Sequence, residues 1–137
     1  CDEWKTWLDE LPKTAQVVDV ISIHIYPVWN HVGIEEALEY TKDKFQTIQS
    51  LYPDKTIIIT EAGWPTKTDL KRIPLEWATA VNQNRYVSEV IKWSKEADTT
   101  IYIFEAFDEE WKGYNDPLDP EKNWGLYFDS RERKFVK

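Results

Sequence analysis

A single cysteine, Cys1, stands at the first of 137 positions. No disulfide can form within the chain, and cysteine usage leaves the redox compartment open. Histidine is almost as scarce: it occurs at positions 24 and 31, with no H-x-x-x-H or C-x-x-C pair. No metal-ligand spacing is present. The four glycines do not gather into a phosphate-cradling loop. The nucleophile elbow of serine hydrolases, G-x-S-x-G, is missing as well. No apolar run approaches the roughly 18 residues of a membrane span, and no signal peptide is visible. Basic charge is in the minority, with 17 Lys and Arg against 25 Asp and Glu and a net charge of −8. Neutralising phosphates needs a basic face, so this balance argues against a nucleic-acid partner. There is no methionine, and the chain enters directly into "CDEWKTWLDELPK", which reads as a processed or excised piece.

What the sequence has in abundance is tryptophan, 8 residues in an aromatic content of 15%. Indoles fill cores, and they also stack on the apolar faces of pyranose rings. The count is large enough for both uses. A chain of this length buries roughly two-thirds of its unfolded surface, so one domain over residues 1–137 is expected.

Periodicity supplies the elements. Trp4, Trp7, Leu8 and Leu11 repeat at helical spacing. Val17 to Pro27 is apolar and β-branched and reads as a buried strand stopped by proline. Ile34, Leu38, Phe45, Ile48 and Leu51 share one face of a helix that ends before Pro53. "KTIIITEAGWP", from Lys55, is a second buried strand followed by a turn. The segment from Thr66 to Leu75 reads as a long strand-to-helix loop. A second long helix carries Val81, Tyr86, Val90 and Trp93 roughly in register. A third strand runs from Thr100 to Phe107, and the tail holds a short extended piece from Gly125 to Phe128. Strands alternating with helices predict an α/β fold with about three parallel strands and flanking helices, each crossover right-handed.

In parallel α/β folds, ligands bind at the C-terminal strand ends. The first strand delivers His24, Tyr26 and then Trp29 there. The second delivers Glu61 and Trp64. The third delivers Glu105, Asp108, Glu109 and Glu110, followed by Trp111 and Lys112. Carboxylates beside aromatic platforms suit a sugar polymer. Glycoside hydrolysis commonly uses two carboxyl groups: one protonates the leaving oxygen, and the other attacks the anomeric carbon or activates water. Glu61, on a rigid strand end, qualifies. It also fits a plainer reading, as an acid that caps a loop or pairs with Lys55 or Lys112. His24 alternates with Tyr26 and equally suits a hydrogen-bonded core residue. The Asp108–Lys112 cluster suits a solvated turn. Glu105, between Phe104 and Phe107, must be paired or protonated if buried.

The segments "DVISIHIYPVWN", "IIITEAGWPT" and "IYIFEAFDEEWKG…EKNWGLYF" together resemble the C-terminal part of family 17 glycoside hydrolases. These are β-1,3-glucan hydrolases and transglycosylases on a (β/α)8 TIM barrel, and the resemblance runs from about Trp4 to Phe128. It implies a half-barrel-like partial TIM barrel. It also implies that Glu61 is the nucleophile of a retaining mechanism and that Tyr26 lies against the reacting sugar. Glu109, Lys112 and Glu121 would form an acid–lysine–acid group around the site. His24, Trp64, Trp111 and Trp124 would complete the substrate-binding cleft. No cofactor is implied. A secreted, periplasmic or cell-wall setting is expected from the family.

The chain departs from that family at one point. The general acid of the family lies in an Asn-Glu pair at the end of an earlier strand, and no Asn-Glu pair occurs here. Three hypotheses follow: an enzyme piece with the acid missing, a β-glucan-binding module without turnover, or a half-barrel that acts by assembling. An open piece of barrel leaves strand edges and an uncovered inner face. Self-association, or a missing N-terminal part of the barrel, would cover them.

Overall fold

The structure, a computed structural model, describes residues 2–134. It begins with β1 (Asp2–Glu3), which runs directly into α1 (Trp4–Asp9). Pro12 has no N–H to continue α1 and instead opens the short α2 (Pro12–Ala15). Then come β2 (Val20–His24), a 3-10 turn (Pro27–Asn30), α3 (Ala37–Leu51) and β3 (Thr56–Ala62). After a long loop follow α4 (Ala80–Glu96), β4 (Ile101–Ile103) and a second 3-10 turn (Pro120–Lys122). The four strands form one parallel sheet in the order β1-β2-β3-β4.

The pleat sorts the side chains. Ile21, Ile23 and Ile25 alternate onto the helix-covered face, beside Ile57 and Ile59 of β3, and all five are buried. Each such isoleucine contributes about 1.5–3 kcal/mol by leaving water. Ser22, His24, Ile58 and Thr60 fall on the other face and are half-buried. That face is less covered than the other, as expected for the interior of a barrel that these strands only partly enclose.

The helices follow the expected stripes with shifted members. On α3 the buried positions are Ala37, Thr41, Phe45 and Ile48. Ile34 precedes the helix, and Leu51, at its frayed end, is exposed. On α4 the buried face is Gln83, Tyr86, Val87, Val90, Trp93 and Ser94, while Val81 points to solvent. Phe45 and Trp93 meet edge to face at 5.5 Å. The Thr41 and Tyr86 hydroxyls share a buried 2.9 Å hydrogen bond that joins α3 to α4.

Two expectations about the sheet change. The fourth strand, β1, is two polar residues long and carries no apolar pattern to announce it. The strand expected from Thr100 to Phe107 leaves the sheet after Ile103 because its backbone changes partner. Phe104 N still donates to Ala62 O, but Leu126 N and Tyr127 N donate to Glu105 O and Ala106 O, and Asp108 N donates to Tyr127 O. The extended piece expected near Gly125–Phe128 is therefore the new neighbour of residues 105–108. This exchange folds the tail back across the strand ends.

Candidate active site at the strand ends

Glu61 lies beside His24 in the register of β3 and β2, next to a bulge between Ile23 and His24. Its Oε2 accepts a 2.7 Å hydrogen bond from the Tyr26 hydroxyl and lies 3.3 Å from His24 Nδ1. It pairs with neither lysine considered from sequence. Lys55 donates to Val18 O at 2.8 Å, and Lys112 is engaged elsewhere. The Glu61 side chain keeps 34% of its surface open, so it is fixed on one side and reachable on the other. The Tyr26 phenol has its pKa pushed far upward, first by burial, then by its bond to Glu61 and by the charges of Glu61, Glu121 and Glu105. It stays protonated and acts as a donor.

The loop after β4 builds the second group. Lys112 Nζ donates to Glu105 Oε2 at 2.8 Å and also bonds Glu109 Oε2. The ammonium sits 4.4 Å from the centre of the Phe104 ring. Burial depresses the Lys112 pKa, but Glu105 and Glu109 outweigh it and the net shift is upward. Glu105 moves upward too: burial raises it, Lys112 pulls it back, and Glu109 adds to the rise. Its Oε1 is buried and has no hydrogen-bond partner among the described residues. Glu121, on the second 3-10 turn, is raised by burial and by Asp119, and lowered by Arg72 and Lys112. Lys112 thus joins Glu109 to Glu105, a member that sequence reading left unassigned, while Glu121 feels the charge of Lys112 without a bond to it among the described residues.

An aromatic floor joins the parts. Trp124 packs against Tyr26 at 5.1 Å, Trp29 at 5.7 Å and Phe104 at 6.1 Å. Its ring is 1% exposed, and its Nε1 has no hydrogen-bond partner among the described residues. Gly63 permits this packing, since a Cβ there would stand 1.9 Å from Phe104 O and 3.2 Å from the Trp124 ring. Gln83, reaching up from α4, locks the floor: its buried Nε2 donates to Trp64 O, Trp124 O and Gly125 O.

Two tryptophans expected in the cleft sit differently. Trp64 is fully buried. Its Nε1 donates to Trp77 O at 2.7 Å and its ring lies against Tyr86, so the turn after Gly63 turns the indole into the core beneath the site. Trp111 is 77% exposed, with Lys112 Nζ 5.6 Å from its ring centre. Within the expected cluster, Asp108 is no solvated side chain. Its Oδ1 accepts from Gly125 N and from Lys134, whose side chain is 2% exposed. Trp29 was expected at the first strand end but given no role, and Arg72 was not expected at the site. Trp29 carried a signal, two positions after Pro27 in the turn that follows β2. Arg72, in a loop with no recognisable pattern, carried none.

Among the described residues no group of His, Cys, Asp or Glu is arranged to hold a metal ion, and no helix is long and apolar enough to cross a membrane. The arrangement offers one accessible, hydrogen-bonded carboxylate on a rigid strand end. A charged acid–lysine cluster and an aromatic floor stand beside it.

Residues 1–125 match the model of the BtgE/BtgC glycoside hydrolase domain. A probable glucan endo-1,3-beta-glucosidase of Aspergillus terreus is 30% identical over 93% of this chain. A glucan 1,3-beta-glucosidase of Saccharomyces cerevisiae is 26% identical over 85%. The chain spans 21% of the first relative's length and 39% of the second's. Among solved structures, a family 17 β-1,3-glucanosyltransferase from Rhizomucor miehei superposes with a TM-score of 0.77 at 23% identity. An endo-laminarinase from Formosa superposes at 0.80 and 22%. These matches cover 88% and 92% of this chain and 42% of each solved chain. The fold is that of a partial TIM barrel.

Proposed function

Since this chain belongs to the BtgE/BtgC glycoside hydrolase family, we propose that it forms the nucleophile-bearing wall of a retaining β-1,3-glucan hydrolase or glucanosyltransferase. The observation that carries the reading is the setting of Glu61. Its carboxylate sits on a strand end, held at Oε2 by Tyr26 and flanked by His24. It forms no ion pair with a lysine or arginine among the described residues. Oε1 then attacks the anomeric carbon while the bond to the leaving oxygen breaks. A glycosyl ester on Glu61 results, for water or a second sugar to resolve. Tyr26 and the Glu109–Lys112–Glu121 group line the reacting sugar, His24 and Trp111 flank it, and buried Trp124 forms the floor beneath. Trp64 acts from below, by supporting the floor. No cofactor takes part, because carboxylates suffice for this chemistry.

The leaving oxygen needs a proton, from a second carboxyl group roughly 5 Å from the nucleophile. Glu105 and Glu109 are committed to Lys112, and we assign the acid to a part of the barrel outside this chain. The β1 and β4 edges and the open sheet face offer the place where the rest of a barrel, or a second copy, would dock. The location that fits a glucan substrate is extracellular or at the cell wall. The absence of the acid also favours a second reading, a β-glucan-binding half-barrel without turnover.

Release of reducing ends from soluble β-1,3-glucan, by this chain and by Glu61→Gln, tests the assignment. Activity lost in the variant supports a nucleophilic Glu61. Equal activity in both removes it. Binding without turnover in either supports the second reading for the isolated chain.

A further inference from the structure

The loop between β3 and α4 places a cation over the aromatic floor. Arg72 Cζ stands 4.3 Å from the centre of the Trp29 ring. Trp29 packs on Trp124, Trp124 on Tyr26, and the Tyr26 hydroxyl reaches Glu61. A continuous row of rings thus leads from the nucleophile to the guanidinium. The loop that carries Arg72 is pinned at several points. Thr66 N donates to Asn123 O at 2.9 Å. The buried Thr68 hydroxyl donates to Ile73 O at 2.7 Å and accepts from Leu70 N at 2.9 Å. Ile73, next in sequence to Arg72, is 1% exposed and anchors it. The neighbouring cation, Lys71, is spent on Asp69 at 2.7 Å, and Lys112 is spent on Glu105 and Glu109. Arg72 is exposed, and among the described residues its N–H groups have no hydrogen-bond or ion-pair partner; its recorded neighbours are the Trp29 ring and the charge of Glu121.

A guanidinium stacked on an indole is oriented but not satisfied, because the ring holds its face and leaves the in-plane donors free. Paired hydroxyl oxygens on a pyranose suit that fork. We infer that Arg72 and Trp29 form a binding subsite for the glucan unit next along the ring row from the one at Glu61. Arg72 donates to the hydroxyls of that unit, and Trp29 holds the guanidinium in position. The subsite rests on the β-glucan reading above and adds to it a specificity-determining residue. Its consequence is a dependence on chain length: a single glucose at Glu61 does not reach Arg72, and an oligosaccharide does.

Calorimetric titration of the chain with glucose and laminarihexaose tests this, using wild type, Arg72→Ala and Arg72→Lys. Arg72→Ala is expected to weaken laminarihexaose roughly tenfold, the worth of hydrogen bonds from a charged donor. It should leave glucose within about twofold. Arg72→Lys should restore only part of the loss, since an ammonium lacks the planar fork. Thermal unfolding should show all three proteins alike. An equal loss for both sugars, or no loss for either, overturns the subsite and leaves the glucan reading standing. Failure of the wild-type chain to bind either sugar overturns the glucan reading, and the subsite with it.

Discussion

Replacing Lys112 with methionine removes a charge while keeping a stem of similar length over Phe104. The ammonium holds two carboxylates, Glu105 and Glu109, and the three side chains are 19%, 16% and 30% exposed. Breaking a fully buried pair costs about 3–5 kcal/mol, and an exposed one about 0.2–1 kcal/mol. This cluster lies between, so Lys112→Met should destabilise the chain by about 2 kcal/mol near neutral pH. The pH dependence identifies the cause. Glu105 has a folded pKa above its ordinary 4.5, from burial first, with Lys112 opposing and Glu109 assisting. A carboxyl raised in the folded state contributes stability below its unfolded pKa and loses it as pH rises through the folded value. Without Lys112 the folded pKa climbs further, and that loss deepens. The deficit of the variant should therefore be largest near neutral pH and shrink towards about pH 4, as Glu105 takes up its proton and Lys112 has less charge to offset. Urea unfolding of both proteins at the two pH values measures it. An equal deficit at both would refute the electrostatic account and assign the cost to packing.

Other perturbations separate the supports of the site. Lys134→Met leaves Asp108 and Thr66 without their buried donor, and denaturant unfolding should show a loss of about 3 kcal/mol; a loss under about 1 kcal/mol contradicts the buried pair. Gln83→Leu strands the buried carbonyl oxygens of Trp64 and Gly125 and leaves Trp124 O only its long bond from Glu105 N, for an expected cost of about 2–3 kcal/mol and faster amide exchange at Gly125. Trp111→Ala, at a position 77% exposed, should shift stability by less than about 0.5 kcal/mol while weakening glucan binding several-fold in titration. Unchanged binding would remove Trp111 from the cleft.

The strands that set Glu61 and Tyr26 were legible because β2 and β3 are dense in β-branched residues and end at proline or glycine turns. Glu61 was legible as chemistry because it interrupts such a run at its end. Parts that depend on the path of the backbone were not. β1 is two acidic residues, which resemble any helix start. The end of β4 is fixed by a tail some twenty residues later, through bonds from Leu126 and Tyr127 that no local pattern encodes. Trp64 misled for a related reason: its place beside Glu61 suggests the cleft, but the turn at Gly63 sends the indole toward α4. Glu105 stood out as a buried acid, yet its partner Lys112 was visible only once the loop closed. Arg72 became legible only through what it rests on.

A substrate whose leaving group needs no proton tests the central claim most directly, because it reacts without a general acid. A 2,4-dinitrophenyl 2-deoxy-2-fluoro-β-laminaribioside loses dinitrophenolate when a carboxylate attacks its anomeric carbon, and the fluorine slows hydrolysis of the ester that forms. Mass analysis of the chain after incubation should find one glycosyl group, on the peptide that holds Glu61, and none in Glu61→Gln. Binding of the sugar without an adduct, or an adduct on another carboxylate, would contradict the assignment of Glu61 as nucleophile.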